Sequence, residues 1–291
     1  MQNTFRVLIV LSVACASGNA GAQWAVDAEA MRLYDSNVSH GQLAGDVVGD
    51  SLTRVSVAAS RELYAAADSS VALTGDAAVT EYDRFGNLSN ASLRATLAGR
   101  SKLGIGLTAP WLELSASAAR EAYRATLRNG NRFAAALTGG RRFSESFDAQ
   151  LGARYDRRRA DNDVPDSIWT SGRAFDLQGR SLFAQANLAI LPSLVASLGL
   201  SARRGDVVST ASETPLIWAA ANAISPDPAF GDERYAYRLS GAATRSASLT
   251  LSWALDAHSS INGRVADEHT RAHGDFGYHS KVMAVHYVYS R

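Results

Sequence analysis

Arginines and carboxylates recur in this sequence at even spacings. Arg94 and Arg100 share one segment, Glu113 and Glu121 the next, Arg132 and Arg142 a third, and Asp148, Arg154, Asp156 and Arg158 a fourth. An arginine keeps its proton at any working pH and presents a rigid fork of donors. Paired with carboxylates it builds ionic networks; unpaired, it binds anions. Side chains an even number of residues apart share one face of a β-strand. If the segments are strands, these charges therefore gather on one face of a sheet.

The segments do read as strands. Phe147, Ala149, Leu151, Ala153 and Tyr155 alternate with Asp148, Gln150, Gly152 and Arg154. Leu249, Leu251, Trp253 and Leu255 oppose Thr250 and Ser252, and Ala91, Leu93, Ala95 and Leu97 oppose Ser92, Arg94 and Thr96. The Ala-rich stretch 113–122 suits a helix by propensity. It nevertheless keeps period two, with Leu112, Leu114, Ala116 and Ala118 against Glu113, Ser115, Ser117 and Glu121. Pro110, Pro165, Pro192, Pro215, Pro226 and Pro228 fall in connections, as an unbroken ladder requires.

The pattern predicts twelve strands, at 23–34, 51–63, 70–83, 90–102, 111–123, 131–143, 147–159, 180–191, 194–205, 236–255, 260–272 and 278–290. Odd-numbered connections include the three longest, 35–50, 160–179 and 206–235, whereas Ser144–Ser146 and Pro192-Ser193 are even-numbered and very short. Bacterial outer-membrane barrels have this asymmetry: short periplasmic turns, long extracellular loops and an even strand count. Aromatic residues bracket the apolar faces. Trp24, Phe133, Phe143, Phe147, Tyr155, Trp253, Tyr287 and Tyr289 are the expected interfacial girdle. The spacings Phe147 to Tyr155 and Phe133 to Phe143 correspond to roughly 20–25 Å along the membrane normal, the height of a barrel's apolar band. The expected fold is an all-β, antiparallel, up-and-down transmembrane β-barrel.

The first residues set the compartment. A short basic start ending at Arg6, the apolar core Val7–Ala14 and the small residues Ala20-Gly21-Ala22 predict a signal peptide over 1–22 and a mature barrel over 23–291. No stretch reaches the roughly 20 apolar residues of a transmembrane helix. The single cysteine, Cys15, lies within the signal, so disulfides and thiolate metal sites are excluded from the mature chain. Removing Arg6 from the 29 basic residues brings them level with the 28 acidic ones, which argues against nucleic acid as a partner. The expected partners are the bilayer of the outer membrane, lipopolysaccharide included, and the barrel-assembly machinery during biogenesis. No cofactor or metal is expected.

Leu33-Tyr34-Asp35-Ser36-Asn37-Val38 resembles the Y-D-[DS]-N-[VI] stretch of many proteobacterial outer-membrane barrels of unassigned function, and Arg204-Gly205-Asp206-Val207-Val208-Ser209 is similar to runs in such proteins. The resemblance implies the barrel fold and carries no activity. The chain departs from the usual assembly signal by ending Ser290-Arg291 rather than on an aromatic residue, although Val285, Tyr287 and Tyr289 alternate correctly.

Inverting the apolar sets gives the expected lumen. Arg54, Arg94, Arg100, Arg132, Arg142, Arg154, Arg158, Arg203, Arg238 and Arg264 point inward, with Glu62, Asp76, Glu113, Glu121, Asp148, Asp156 and Glu268. Two readings follow: a salt-bridged filling, or an arginine-lined track for anionic solutes. The uncharged run 215–224 in the longest loop carries Leu216, Ile217 and Trp218, which suit a constriction or cap at the mouth. The loop acids Asp161, Asp163 and Asp166 suit a solvated turn better than a calcium site. Hydrolase chemistry would need a serine beside a histidine base. The candidates are Ser36, Ser39 and His40 in one loop, His258-Ser259 in a turn, and Asp267, His269 and His273 near the outer rim, the last group also a weak zinc candidate. The leading expectation is a narrow channel for small hydrophilic or anionic solutes. The alternative is a non-conducting accessory barrel for surface display or for polysaccharide or lipoprotein export. A hydrolase is the third.

Overall fold

The computed structural model describes residues 24–162, 170–212 and 215–291. The expected leader, Asp163 and Asp166, and the Leu216 side chain lie outside the described residues. The chain opens with strands β1 (Trp24–Asp35), β2 (Asp50–Ala65), β3 (Ser69–Tyr82) and β4 (Asn90–Lys102). β5 (Trp111–Tyr123), β6 (Gly130–Arg142), β7 (Phe147–Ala160) and β8 (Leu177–Leu191) follow. Next come β9 (Leu194–Ala211), a short helix α1 (Pro215–Ala220) and a short strand β10 (Ala223–Pro226). β11 (Tyr235–Ala254), β12 (Ser259–Arg271) and β13 (Gly277–Ser290) complete the chain.

β13 pairs with β1 and β9 pairs with β11, all antiparallel, so twelve strands close into a ring and β10 stands outside it. Closure is what a hydrocarbon environment demands, because lipid offers no partner for an unpaired backbone edge. The alternation read from sequence sets the faces. Leu93, Leu151 and Leu182 are each at least 65% exposed on the outside. In water such a surface would aggregate; in lipid each leucine gains about 1.5–3 kcal/mol of burial. A thirteen-residue strand such as β5 extends about 43 Å, or roughly 33 Å along the normal at a tilt near 40°, enough to cross the apolar band.

The strand expectations hold within a few residues, except around the longest loops. Residues 206–211, expected as loop, continue β9, whose pairing with β11 runs as far as Ala211 opposite Tyr235. Residues 177–179 likewise extend β8. β11 is interrupted by a bulge between Leu239 and Ala242, with Gly241 at φ 69°. Above the bulge β11 exchanges β12 for β10 as its neighbour. The result is a three-stranded ribbon, β9–β11–β10, that rises out of the ring into the loops.

The buried apolar clusters lie at this loop end rather than in the barrel's middle. Val207, Ile217, Ile224, Tyr237, Leu239 and Phe276 form one, with Trp218 packed against it. Ala160, Phe175, Ala223 and Ala236 form a second, and Leu88, Ala125 and Ala229 a third. The long loops are therefore a packed cap, not a solvated fringe.

Candidate functional site: a charged lumen beneath a packed cap

The strand register turns every charge assigned inward from sequence to the lumen face, with one exception. Arg238 lies beyond the β11 bulge, which inserts one residue and reverses the alternation. Its guanidinium donates to the backbone carbonyls of Arg173 (3.0 Å) and Asp176 (3.2 Å), so it braces the cap and does not line the lumen.

The remaining charges divide by height. Near the cap, Glu121 accepts from Arg158 (2.9 Å) and forms an ion pair with Arg132 (3.0 Å), while Arg158 also donates to the Phe175 carbonyl at 2.8 Å. Arg158 is almost wholly buried, so it is a structural pin. Arg203 reaches Asp156 at 3.5 Å, Arg94 reaches Asp76 at 3.7 Å, and Asn187 donates to Asp148 at 2.7 Å. At the short-turn end Arg100 lies over the Trp111 ring, 3.8 Å from its centroid. Glu113 stands opposite Arg100 across the β4–β5 pair, and Arg142 opposite Asp148 across β6–β7. Glu62 and Glu268 occupy the lumen faces of β2 and β12.

Mid-height differs. Arg154 stands between Ala136 and Ser181, and Arg264 between Thr250 and Ala284. Neither has a carboxylate within 4 Å among the described residues. Arg264 borders a lumen cavity of about 390 Å³ lined by Ser197, Ser248, Thr250, Ser252 and Asn262. The neighbouring His286 is held by Glu29. Charge alone does not reveal this hydroxyl wall, although the alternation of β11 turns Ser248, Thr250 and Ser252 inward. The inward set also includes Asp27, Glu29, Lys102 and His286, so carboxylates nearly balance the basic side chains over the lumen as a whole.

The cap is organised by the loop between β9 and β11, which touches every other long loop. Arg234 pairs with Asp46 in the first, and Asn87 in the second donates to the Pro228 carbonyl at 3.0 Å. Arg128 in the third pairs with Asp227 through Nε at 3.1 Å, and Ser171 in the fourth exchanges backbone hydrogen bonds with Ile224. Ile217 packs with Phe276 of the sixth. Asp227 is wholly buried and also accepts from the Thr210 hydroxyl at 2.6 Å. Burial works against the charge on Arg128, but the adjoining Asp227 outweighs it and holds the guanidinium pKa above its usual value. Ile217 is buried and Trp218 partly so, which places both inside the cap.

No family model matches the sequence, and no curated protein matches it. Solved structures do. An outer-membrane channel from Pseudomonas putida F1 is similar over 94% of this chain and 97% of its own, with TM-score 0.59 and 10% identity. The fold is that of an outer-membrane β-barrel. The KdgM porin in complex with disordered oligogalacturonate is similar over 90% of this chain and 98% of its own, with TM-score 0.47 and 9% identity. The translocator domain of the autotransporter NalP from Neisseria meningitidis is similar over 94% and 90%, with TM-score 0.42 and 12% identity.

In this barrel the eight aromatic residues assigned to the girdle all project from the outer surface. Trp24, Phe143, Phe147, Trp253, Tyr287 and Tyr289 lie towards the short-turn end, and Phe133 and Tyr155 towards the loops. The hydrolase candidates do not assemble. The Ser39 hydroxyl donates to the Asp46 carbonyl at 2.6 Å, while the His40 ring bonds the Val208 carbonyl and stacks on Tyr278. Ser36 accepts from the Lys281 amide, and Ser259 donates to Asp256 at 2.5 Å. Asp161 is taken by Arg120 (2.6 Å), whose hydrogen bond holds its carboxyl below the ordinary carboxylate range.

The metal candidate changes membership. His269 stands directly across β12–β13 from His279, and both rings reach Asp267, at 3.2 and 2.6 Å. His273 is not part of the cluster. Two imidazoles and a carboxylate suit a borderline divalent cation such as zinc. Lys281 opposite Asp267 and Arg245 opposite His269 oppose a cation there.

Proposed function

We propose that this protein is a narrow outer-membrane channel for small hydrophilic anions, gated at its extracellular mouth by the cap. The observation that carries the reading is the mid-height lumen: a hydroxyl-lined cavity of about 390 Å³ beside Arg264, which has no carboxylate partner among the described residues. A barrel filled merely for stability would bury and pair that arginine, whereas Arg264 is exposed to the lumen. Serine and threonine hydroxyls exchange readily with those of a hydrated solute, and the arginine supplies the preference for negative charge. The solute class follows from this local arrangement and not from net lumen charge.

In this reading the chain resides in the outer membrane after loss of the 1–22 leader, with the termini and short turns periplasmic, as in other barrels. The aromatic residues form the interfacial belts, and Ile217 and Trp218 contribute to the constriction. Proteoliposome uptake tests the function. Gluconate should enter faster than a neutral sugar alcohol of similar size, and the preference should vanish in an Arg154→Ala, Arg264→Ala variant. Equal uptake of both solutes by the native protein would refute the anionic class. No uptake by a variant with an opened cap would favour a non-conducting accessory barrel.

A further inference from the structure

Outside the barrel, beyond the apolar band on the loop side, a second set of arginines gathers. Arg157 on β7, Arg180 on β8, Arg204 on β9, Arg245 on β11 and Arg271 on β12 all project from the outer face and are exposed. None has a carboxylate within 4 Å among the described residues. Arg180 and Arg204 stand directly opposite each other. Like charges in that position repel and weaken the pairing, and a bound anion would relieve that repulsion.

The geometry shows where such a group would sit. Arg204 and Arg271 flank the same residue, Ala243, from the two neighbouring strands. A concavity of about 610 Å³ lies between them, lined also by Asn222, Ser240, Gly241 and His273. The β11 bulge creates it. Gly241 is in the left-handed region, and a Cβ there would meet nothing within 4 Å. Of the acids around this face, Asp206 accepts from the Gln178 amide at 3.1 Å, Asp267 is held by His269 and His279, and Asp275 lines a neighbouring concavity with Arg271 without pairing with it.

The occupant must match two surfaces. On the same outer face Leu182 lies one step below Arg180, and Ala202 and then the exposed Leu200 lie below Arg204. A molecule anionic at the arginine row and apolar immediately below it is a membrane lipid with a phosphorylated headgroup. We propose that this face binds the phosphates of outer-leaflet lipids. Arg204 and Arg271 share one phosphate in the concavity through charge-assisted bonds, and Arg157, Arg180 and Arg245 gather its neighbours. The proposal rests on the barrel's residence in a bilayer and is independent of whether the lumen conducts.

Native mass spectrometry of the purified barrel in neutral detergent tests it, with short-chain phosphatidic acid as probe. Saturable binding should weaken about tenfold or more in Arg204→Ala, Arg271→Ala. It should persist in Arg120→Ala, since that outward arginine is already paired with Asp161. Phosphatidylcholine and inorganic phosphate should each bind far more weakly. Native affinity in the double variant overturns the proposal, as does phosphatidylcholine binding equally well. Inorganic phosphate binding as tightly as the lipid overturns the lipid assignment. Heat-modifiable gel mobility reports barrel integrity. If the alanine pair does not fold, Arg204→Lys, Arg271→Lys keeps the charge and removes the fork, and undiminished affinity there overturns shared recognition by the two guanidinium forks.

Discussion

Replacing Asp227 by alanine should release the cap while leaving the barrel intact. Its carboxylate is wholly buried between Arg128 and the Thr210 hydroxyl. Removing one partner of a buried ion pair typically costs roughly 3–5 kcal/mol, because the other charge is stranded. Arg128 retains 16% side-chain exposure and lies 4.7 Å over the Phe175 ring, so the lower end, about 3 kcal/mol, applies. That is on the order of a hundredfold in a local opening equilibrium. Hydrogen exchange measures it directly. The amides of Asn222, Ile224 and Asp227, each bonded at 2.8 Å to the carbonyl of Arg238, Ser171 and Arg234 respectively, should lose protection by about that factor. Amides in the turn-side halves of β4 and β5, at the opposite end of the barrel from the loop, should not change. Unchanged protection in the loop, or an equal loss throughout the barrel, would refute the separation of cap from barrel.

Two further outcomes follow from the barrel wall and its turns. Gly152→Val should lower the midpoint of urea unfolding, because a Cβ there would fall 2.4 Å from the Phe183 ring and 2.7 Å from the Leu137 carbonyl. Overpacking of that kind costs about 1–3 kcal/mol, and an unshifted midpoint would show that the Phe183 ring can vacate the site. Asp256, in the turn between β11 and β12, has its pKa lowered by the hydrogen bond from Ser259 and then by the His258 amide. A carboxyl lowered on folding stabilises the barrel above its unfolded value near 4 and loses that contribution as pH falls through the folded value. Thermal unfolding of the native protein and Asp256→Asn should therefore differ at pH 6 and converge in acid; a constant difference would contradict this.

Much of the barrel was legible because a single rule, alternation against an apolar solvent, applies to every residue of a membrane strand. It placed Leu151 outside and Arg154 inside without reference to any other segment. The rule failed where that solvent ends. Residues 206–211 continue β9, but they pair above the band, where nothing enforces an apolar face. Arg238 was misassigned because a bulge shifts the count by one, and its only local hint was the flexible pair Ser240-Gly241. The outer arginines Arg180, Arg204 and Arg245 fall on the apolar parity, just past the point where it stops being apolar. The Asp227–Arg128 pair joins residues 99 positions apart, which no periodicity announces.

Single-channel recording in planar bilayers tests the central claim most directly. Under a potassium chloride gradient the native protein should show brief, anion-selective openings. Asp227→Ala should lengthen them, and Arg154→Ala, Arg264→Ala should move the reversal potential towards zero. No steps above the lipid baseline in either the native protein or Asp227→Ala would contradict the account, as would a reversal potential indifferent to both arginines.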